Sequence, residues 1–444
     1  MARVLHLSAA SSDLNELLGS QLDTFADSGY DVFTASAPGV RLRNGGQNPS
    51  VESTKRHYAI PSFDANADAL SGLRAANVLK SLIDEVRPNI LHIHGSKPTA
   101  LGQLVGRLSQ VPIVVNTVHS HLAPARRISR RWRAPLSIER VTAVQSDAGF
   151  GHNLADLESL QAWGIAASKL HLLGYGIDLE EYSPNAHRAR AARCFRIRLG
   201  IPFRTPTVGI VGPRVWDHGL VEVFHTVQAL RKRFSRDQLA FVVTGEAPNN
   251  ASSADRAAID QMRDGYGVCF LDMDGSAKAS SADLDEPSIL TACDFVALPI
   301  VHDGRPRAAM RASAMGLPVV AATSPSTSSI VDHKKTGLLI RAHRPQQLAL
   351  AIERLAKLPA LRLALGRQAR AKALEEFDER RVITRTLAVY RDLLEARGLP
   401  VPDESLGEDR PQYVDSIDLV DRDQEKSVAP RPTVSGLGVD SVGG

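Results

Sequence analysis

The chain alternates short β-branched apolar runs with longer segments of helical periodicity, and it does so in two successive series. Such alternation is typical of βα units, which build a parallel sheet covered by helices. With 444 residues the chain also exceeds what one hydrophobic core usually supports. We therefore predict an α/β protein with two Rossmann-like domains that face each other across a cleft.

The first series predicts an amino-terminal domain over residues 1–184. Its strands are predicted at Arg3–Ser8, Asp31–Ser36, Ile90–His94, Ile113–Thr117 and Val141–Val144. Its helices are predicted near Asn15–Ser28, Asp68–Val86 and Thr99–Leu108. A stretch with glycines and a proline, GYGIDLEEYSPNAHRAR, ends this series, and its composition indicates a connection between domains.

The second series predicts another domain over residues 185–378, a helix over 379–398 that returns to the first domain, and a disordered acidic tail over 399–444. Its strands are predicted at Thr207–Val211, Leu239–Thr244, Val268–Leu271, Phe295–Pro299 and Val319–Ala322. Its last amphipathic segments are Pro345–Ala356, Ala360–Glu375 and Arg380–Arg397.

Composition excludes some classes of protein. No apolar run reaches the roughly 18–20 residues that a bilayer span needs, and no secretory signal opens the chain, so we expect a cytoplasmic protein. Cys194, Cys269 and Cys293 lack the spacing of a disulfide set or a zinc site, which favours buried free thiols.

The net charge is +4, but Asp403–Gly444 contributes −6, so the remaining body carries +10. That excess either steers phosphate-bearing ligands or is ordinary surface charge.

Five stretches of the sequence resemble the retaining glycosyltransferases of family 4, which have the GT-B architecture. They are LHIHGSKPTALGQLVGRLSQVPIVVNTVHS, the linker GYGIDLEEYSP, VGIVGPRVWDHGL, VTGEAP, and ILTACDFVALPIVHDGRPRAAMRASAMGLPVVAATSPSTSSIVDHKKTGLLI. The last is the most specific, because its elements follow one another in family order and spacing. The resemblance covers residues 1–398.

The resemblance implies that the second domain holds a nucleotide-diphosphate sugar and that the first domain holds the acceptor. Transfer then retains the anomeric configuration, and basic side chains with backbone N–H groups stabilise the departing diphosphate. The family requires no metal ion, so we expect neither a metal nor another cofactor. The implied donor and phosphate residues lie in the loops after the second-domain strands: Gly212, Arg214, His218, Gly245, Gly304, Arg305 and Arg311.

The chain departs from the family pattern in those loops. Pro213 stands where the family has an Arg, and His218 stands where it has a Lys. Asp303 occupies the first position of the family glutamate pair, and Arg311 occupies the second. A guanidinium offers only donors, so Arg311 cannot grip a ribose diol as a carboxylate does. Arg214, Arg305 and Arg311 are candidates for supplying the missing positive charge, unless they face solvent.

In the first domain the resemblance assigns His119 to the transferred sugar, so His119 and Asp303 are the candidate catalytic residues. Polar positions after the strands, Ser11, His94 and Lys97, are candidates for the acceptor side. His92 and His94 share one face of a strand; we interpret His92 as a core residue and His94 as nearer the cleft. Metal binding by this pair is not expected, because no third ligand is evident.

A basic run with one tryptophan follows His119. Its density of arginines fits contact with the inner face of the cell membrane or with a phosphorylated lipid acceptor, whereas a solvated loop is the alternative. No nucleic-acid-binding module accompanies it. The residues concerned are Arg126, Arg127, Arg130, Arg131, Trp132 and Arg133.

Three functions are compatible with these observations. The leading hypothesis is an enzyme of polysaccharide biosynthesis that transfers a sugar from a nucleotide-diphosphate donor to a cell-envelope or lipid-linked acceptor. The second is a catalytically weakened homologue that serves as a binding or scaffold partner of an active transferase, which the altered donor residues favour. A nucleotide-sugar epimerase of related architecture is the third.

Overall fold

The computed structural model describes residues 1–10, 14, 21–38, 56–61, 69–95, 97–118, 144–211, 219–244, 252–271, 286–299 and 306–402. The described strands form two parallel sheets of seven and six strands. This arrangement agrees with the prediction of two α/β domains. The predicted tail over 399–444 lies outside the described residues from position 403 onward.

The first sheet has the order β3-β2-β1-β4-β5-β6-β7. Its strands are β1 (Ala2–Ala10), β2 (Tyr30–Ala37), β3 (His57–Ala59), β4 (Ile90–His94), β5 (Ile113–Val118), β6 (Ala148–Gly151) and β7 (Leu170–Leu172). Helical residues around this sheet are 21–27, Ala69–Val86, Lys97–Leu108 and Leu154–Ala162, with a 3₁₀ turn at Ala167–Lys169. Every residue of β4 and β5 is buried, as expected for central strands with both faces covered.

The second sheet has the order β10-β9-β8-β11-β12-β13. Its strands are β8 (Thr207–Val211), β9 (Ala240–Thr244), β10 (Cys269–Leu271), β11 (Phe295–Leu298), β12 (Val319–Ala322) and β13 (Gly337–Ile340). The accompanying helices are Ala186–Arg198, Leu220–Arg231, Ser253–Asp260, Glu286–Thr291, Arg307–Ala314, Pro325–Ile330, Pro345–Lys357 and Pro359–Glu376, with a π-helical turn at Gln261–Gly265.

The last helix, Glu379–Ala396, packs on the first sheet although it follows the second domain in sequence. Its buried face includes Val382, Leu387 and Tyr390, which lie in one cluster with first-domain residues such as Val4 and Phe150. The Asp378 side chain caps its first turn by accepting from Arg380 N at 3.0 Å. None of the helices within the described ranges combines the length and the apolar character that crossing a membrane requires.

The two crossings between the domains run side by side. Ile177 N donates to Phe377 O at 3.0 Å, and Glu379 N donates to Ile177 O at 3.2 Å. Gly176 permits this close approach, because a Cβ at that position would lie 2.5 Å from Glu379 Cα. The first crossing and the last helix are therefore fixed to each other by backbone hydrogen bonds.

Several sequence predictions need correction at the level of single elements. The strand predicted at Val141–Val144 is wrong at Val144, which lies in a turn, and the strand next to β5 is Ala148–Gly151. This strand was missed because three of its four residues are small and give no apolar run. Close packing requires a small residue at Gly151, where a Cβ would come within 2.7 Å of Leu157 Cδ2. The three cysteines are free, but only Cys293 is buried, whereas Cys269 is half-buried and Cys194 is exposed.

Candidate active site

Both sheets reverse their strand order at one point, and ligands of such sheets bind outside the carboxyl ends of the strands there. The reversal lies between β1 and β4 in the first sheet and between β8 and β11 in the second. The described parts of β8 and β11 end at Val211 and Leu298, directly before the segments that contain the predicted donor residues. The topology therefore brings the starts of these segments to one edge of the sheet.

Most of the predicted site residues lie outside the described residues and stay predictions. They are Ser11, His119, Gly212, Arg214, His218, Gly245, Asp303, Gly304 and Arg305, together with Arg126, Arg127, Arg130, Arg131, Trp132 and Arg133. Lys97 begins the helix Lys97–Leu108, but its side chain also lies outside the described part. His94 and Arg311 are the predicted site residues whose side chains the structure describes.

Arg311 is held by a carboxylate from a neighbouring helix. Its Nη1 lies 2.7 Å from Glu286 Oε2, and its guanidinium carbon lies 5.0 Å from the centre of the Tyr182 ring. The Tyr182 hydroxyl donates to the same Glu286 oxygen at 3.1 Å. The side chains of Glu286 and Arg311 are 15% and 28% exposed, so the pair is largely shielded from water.

This charged cluster joins the second domain to the connection between the domains, because Tyr182 belongs to that connection. Arg370 strengthens the junction by donating from Nη1 to Tyr182 O at 3.1 Å. Burial, and then the Glu286 charge, raises the pKa of Tyr182. Sequence reasoning missed Glu286, because its only signal was a carboxylate near the start of the matched stretch ILTACDFVALP.

Glu181 lies in the same electrostatic environment. Burial is the largest cause that raises its pKa, and the negative charges of Asp178 and Glu286 raise it further. The positive charges of Arg311 and Arg188 act in the opposite direction. Carboxylates and guanidinium groups thus lie close together in this cluster, and both kinds of group form charge-assisted hydrogen bonds.

His94 lies at the end of β4 but is buried rather than open to a cleft. Its relative exposure is 3%, and that of His92 is 2%. The interpretation of His92 as a core residue holds, whereas His94 lies in the same buried cluster of rings. His94 Nε2 is 3.0 Å from His6 Nδ1, which is a hydrogen bond whose direction depends on the tautomers.

His6 is the residue that sequence reasoning missed here. β1 and β4 pair in parallel with His6 beside His92 and Ser8 beside His94. The three histidines each offer a ring nitrogen within 4.8 Å of the others, so the statement that no third metal ligand is evident is wrong. The cause of the error is strand register, which joins positions 86 and 88 residues apart and leaves no local signal.

Contacts of His92 connect this cluster to the last helix. His92 Nδ1 forms a hydrogen bond with the Tyr390 hydroxyl, and His92 Nε2 lies 2.6 Å from Thr117 Oγ1. Both Tyr390 and Thr117 are buried. The described end of the first sheet is therefore a buried hydrogen-bonded network, unlike the partly exposed ion-pair cluster around Arg311.

A separate cavity of about 480 Å³ lies at the opposite edge of the second sheet. Its lining includes Leu199, Ala240 and Cys269, which stand near the amino ends of β9 and β10, together with Arg236 and Arg263. Because ligands of doubly wound sheets bind at the carboxyl ends, this cavity is not the candidate active site.

Comparison with known proteins matches both domains in order. Residues 22–181 match the model "Glycosyltransferase Family 4", and residues 205–357 match "Glycosyl transferases group 1". A D-inositol 3-phosphate glycosyltransferase of Corynebacterium jeikeium is 26% identical over 364 residues, which is 77% of this chain and 82% of that protein. An Escherichia coli UDP-Gal:alpha-D-GlcNAc-diphosphoundecaprenol alpha-1,3-galactosyltransferase is 21% identical over 352 residues, which is 78% of this chain and 86% of that protein.

Solved structures agree on the fold. Anabaena HepE in complex with UDP-glucose has a TM-score of 0.67 at 16% identity, covering 89% of this chain and all of that one. The predicted fold class, two parallel-sheet α/β domains of the GT-B kind, is thereby confirmed. Fold and matches together define a glycosyltransferase homologue.

The chain contains one domain that matches Family 4 and one that matches group 1. The activities named for its relatives support the assignment of a transferase enzyme.

Proposed function

We propose that the protein transfers a sugar from a nucleotide-diphosphate donor to a phosphate-bearing acceptor of the cell envelope, with retention of configuration. The observation that carries the proposal is the match of both domains, in order, to glycosyltransferase models over 22–181 and 205–357. HepE was solved with UDP-glucose, which supports a nucleotide sugar as donor. The names of both curated relatives contain a phosphorylated acceptor, an inositol phosphate or a lipid diphosphate.

The second domain supplies features that suit a diphosphate. The helix Arg307–Ala314 is the next described element after β11, and the amino end of a helix favours an anion. Arg311 brings a guanidinium to this helix, and Glu286 holds it in a defined orientation. Charge that develops on the departing diphosphate is stabilised by such fixed cations. Gly212, Arg214, His218, Gly245, Gly304 and Arg305 are proposed to complete the donor site, and His119 and Asp303 are proposed to face the transferred sugar.

The basic run that ends at Arg133 is proposed to bring the protein to an anionic lipid surface, where lipid-linked acceptors are found. Ser11, His94 and Lys97 were predicted on the acceptor side. Because His94 is buried in the histidine cluster, we propose that it does not contact the acceptor itself.

A weakened, non-catalytic homologue is the second candidate. The observation that favours it is the Glu286–Arg311 ion pair, because a guanidinium already neutralised by a carboxylate attracts phosphate less strongly. The two candidates differ in turnover. Either candidate can bind a nucleotide, but only the enzyme consumes its sugar.

The test is a transfer assay with the full chain. UDP-, GDP- and ADP-sugars are incubated with inositol phosphate or with a short-chain lipid diphosphate-sugar, and free nucleotide diphosphate is measured. The proposal predicts acceptor-dependent release, with an axial product linkage from an axial donor by NMR. Nucleotide binding without release for any donor–acceptor pair supports the weakened homologue instead.

A further inference from the structure

Three buried histidines lie together at the strand reversal of the first sheet. The proposed sugar transfer gives this cluster no chemical role. The pairing of β1 with β4 sets His6 beside His92, and alternation along β4 puts His94 on the same face. Their relative exposures are 0%, 2% and 3%. Three imidazoles therefore converge in a space that excludes solvent.

The distances within the cluster are close to those of a tetrahedral metal site. His6 Nδ1 and His94 Nε2 are 3.0 Å apart, and each histidine offers a nitrogen within 4.8 Å of the other two. Ligands about 2.1 Å from a tetrahedral zinc ion have nitrogens roughly 3.4 Å apart. The nitrogen spacing of such a site lies between the 3.0 Å of the His6–His94 pair and the 4.8 Å limit of the whole cluster.

The protonation chemistry of the cluster also suits a metal. His6 Nε2 is fully buried and has no hydrogen-bond partner among the described residues. A neutral imidazole carries the lone pair that binds a metal ion. A buried nitrogen without a partner destabilises the fold, whereas a bound cation would use its lone pair or that of the other nitrogen.

Two further contacts resemble the surroundings of a metal-binding histidine. Thr117 Oγ1, 2.6 Å from His92 Nε2, can accept the ring N–H and leave the Nδ1 lone pair for a metal. The Tyr390 hydroxyl, which hydrogen-bonds to His92 Nδ1 in this structure, is the candidate for a fourth ligand when the ion takes that lone pair. A set of nitrogen ligands with one oxygen suits zinc, cobalt or nickel rather than magnesium or calcium.

We propose that His6, His92 and His94 bind one divalent transition-metal ion of the zinc class. Because all three ligands are buried and the set is closed, the ion has a structural role and does not take part in sugar transfer. It fastens β1 and β4 to the helix Glu379–Ala396 through Tyr390. His94 is the last residue of β4 and lies at the end of the cluster nearest the carboxyl edge of the sheet.

The experiment uses tag-free, full-length protein stripped with EDTA and titrated with Zn²⁺ against a chromophoric chelator. We expect one tightly bound ion per chain, and at least about 100-fold weaker binding by His6→Leu, since a ligand is lost. His171→Gln, on β7 of the same sheet but outside the cluster, is the matched control and is expected to bind like the wild type. Co²⁺ in place of Zn²⁺ should give the intense visible absorption of a tetrahedral site.

Thermal unfolding with and without Zn²⁺ separates a true site from weak surface binding. Stabilisation by the ion should appear in the wild type and in His171→Gln and should be absent in His6→Leu. Circular dichroism shows whether His6→Leu is folded, and His94→Asn is the second cluster variant if it is not. Equal zinc affinity in wild type and both cluster variants, or a weak octahedral Co²⁺ spectrum, overturns the proposal.

Discussion

The strands of the two sheets differ in what they bury. Buried polar residues of the first sheet lie on its strands β1, β2, β4 and β5: His6, Ser8, Thr34, Ser36, His92, His94, Asn116 and Thr117. On the described strands of the second sheet they are only Thr207 and Thr244. The second domain instead carries its charges on helices and on the connection, as Glu286, Arg311 and Glu181 show.

This difference predicts which kind of change destabilises each domain. Neutral polar groups packed inside a sheet depend on their protonation state, because a buried charge without a counterion is costly. Charged groups at the margin of an apolar sheet depend on the pairing of each cation with its carboxylate. Acid is therefore expected to weaken the first domain, whereas charge substitutions are expected to weaken the second.

Acid should give the largest effect. The folded-state pKa of His6 is about 3, below the unfolded value of 6.5, so below pH 6.5 the unfolded chain takes up a proton that the folded chain does not. Stability is lost as the pH falls, at up to about 1.4 kcal/mol per pH unit. Urea unfolding in EDTA at pH 6.5 and 4.5 should show about 2–3 kcal/mol more loss in the wild type than in His6→Leu.

The exposed His225, changed to Gln, is the control for that series and should keep the wild-type pH dependence. Superimposable pH profiles for wild type and His6→Leu would remove His6 as the cause of acid sensitivity.

Removing one partner of the second-domain ion pair should have the next largest effect. Glu286→Ala leaves the shielded Arg311 guanidinium without its carboxylate, and we expect a loss of about 2 kcal/mol, less than for a fully buried pair since both side chains are partly exposed. Glu286→Ala/Arg311→Ala should lose less than the sum of the two single variants. Urea unfolding of all four proteins measures the coupling, and additive losses would show that the pair is not coupled.

The link between His92 and the last helix should give the smallest effect. Tyr390→Phe keeps the ring that packs near Phe25 and Tyr30 but removes the hydroxyl that contacts His92 Nδ1. We expect a loss of about 1 kcal/mol in EDTA. Tyr58→Phe, on the edge strand β3, should be close to neutral; an equal loss in both variants would argue against a specific contact.

The sequence was sufficient to predict the central strands and the helices near the carboxyl end of the chain. Ile90–His94, Thr207–Val211 and Val319–Ala322 were predicted with the bounds that the structure has, because central parallel strands are apolar runs with clear ends. The edge strands β3 and β7 were not predicted. They have three residues each and none of those residues is buried, so they carry no apolar signal.

The candidate site could be predicted only where it follows local patterns. The position of His94 at the end of a strand could be predicted, but its hydrogen bond to His6 depends on the register of β1 with β4. Arg311 was identified from its place in a motif, whereas its partner Glu286 lies 25 residues away on another helix. Contacts between distant segments depend on strand register and on how the elements of a domain pack together. No local sequence pattern signals them.

Binding of a donor nucleotide by the second domain tests the account most directly. Titration calorimetry with UDP, GDP and ADP and their sugars should show saturable one-to-one binding for one base, weakened at least about 10-fold by Arg311→Ala if that guanidinium supports the diphosphate. If none of these nucleotides binds the wild type at millimolar concentration, the protein does not hold a nucleotide-diphosphate donor and the proposed transfer is contradicted.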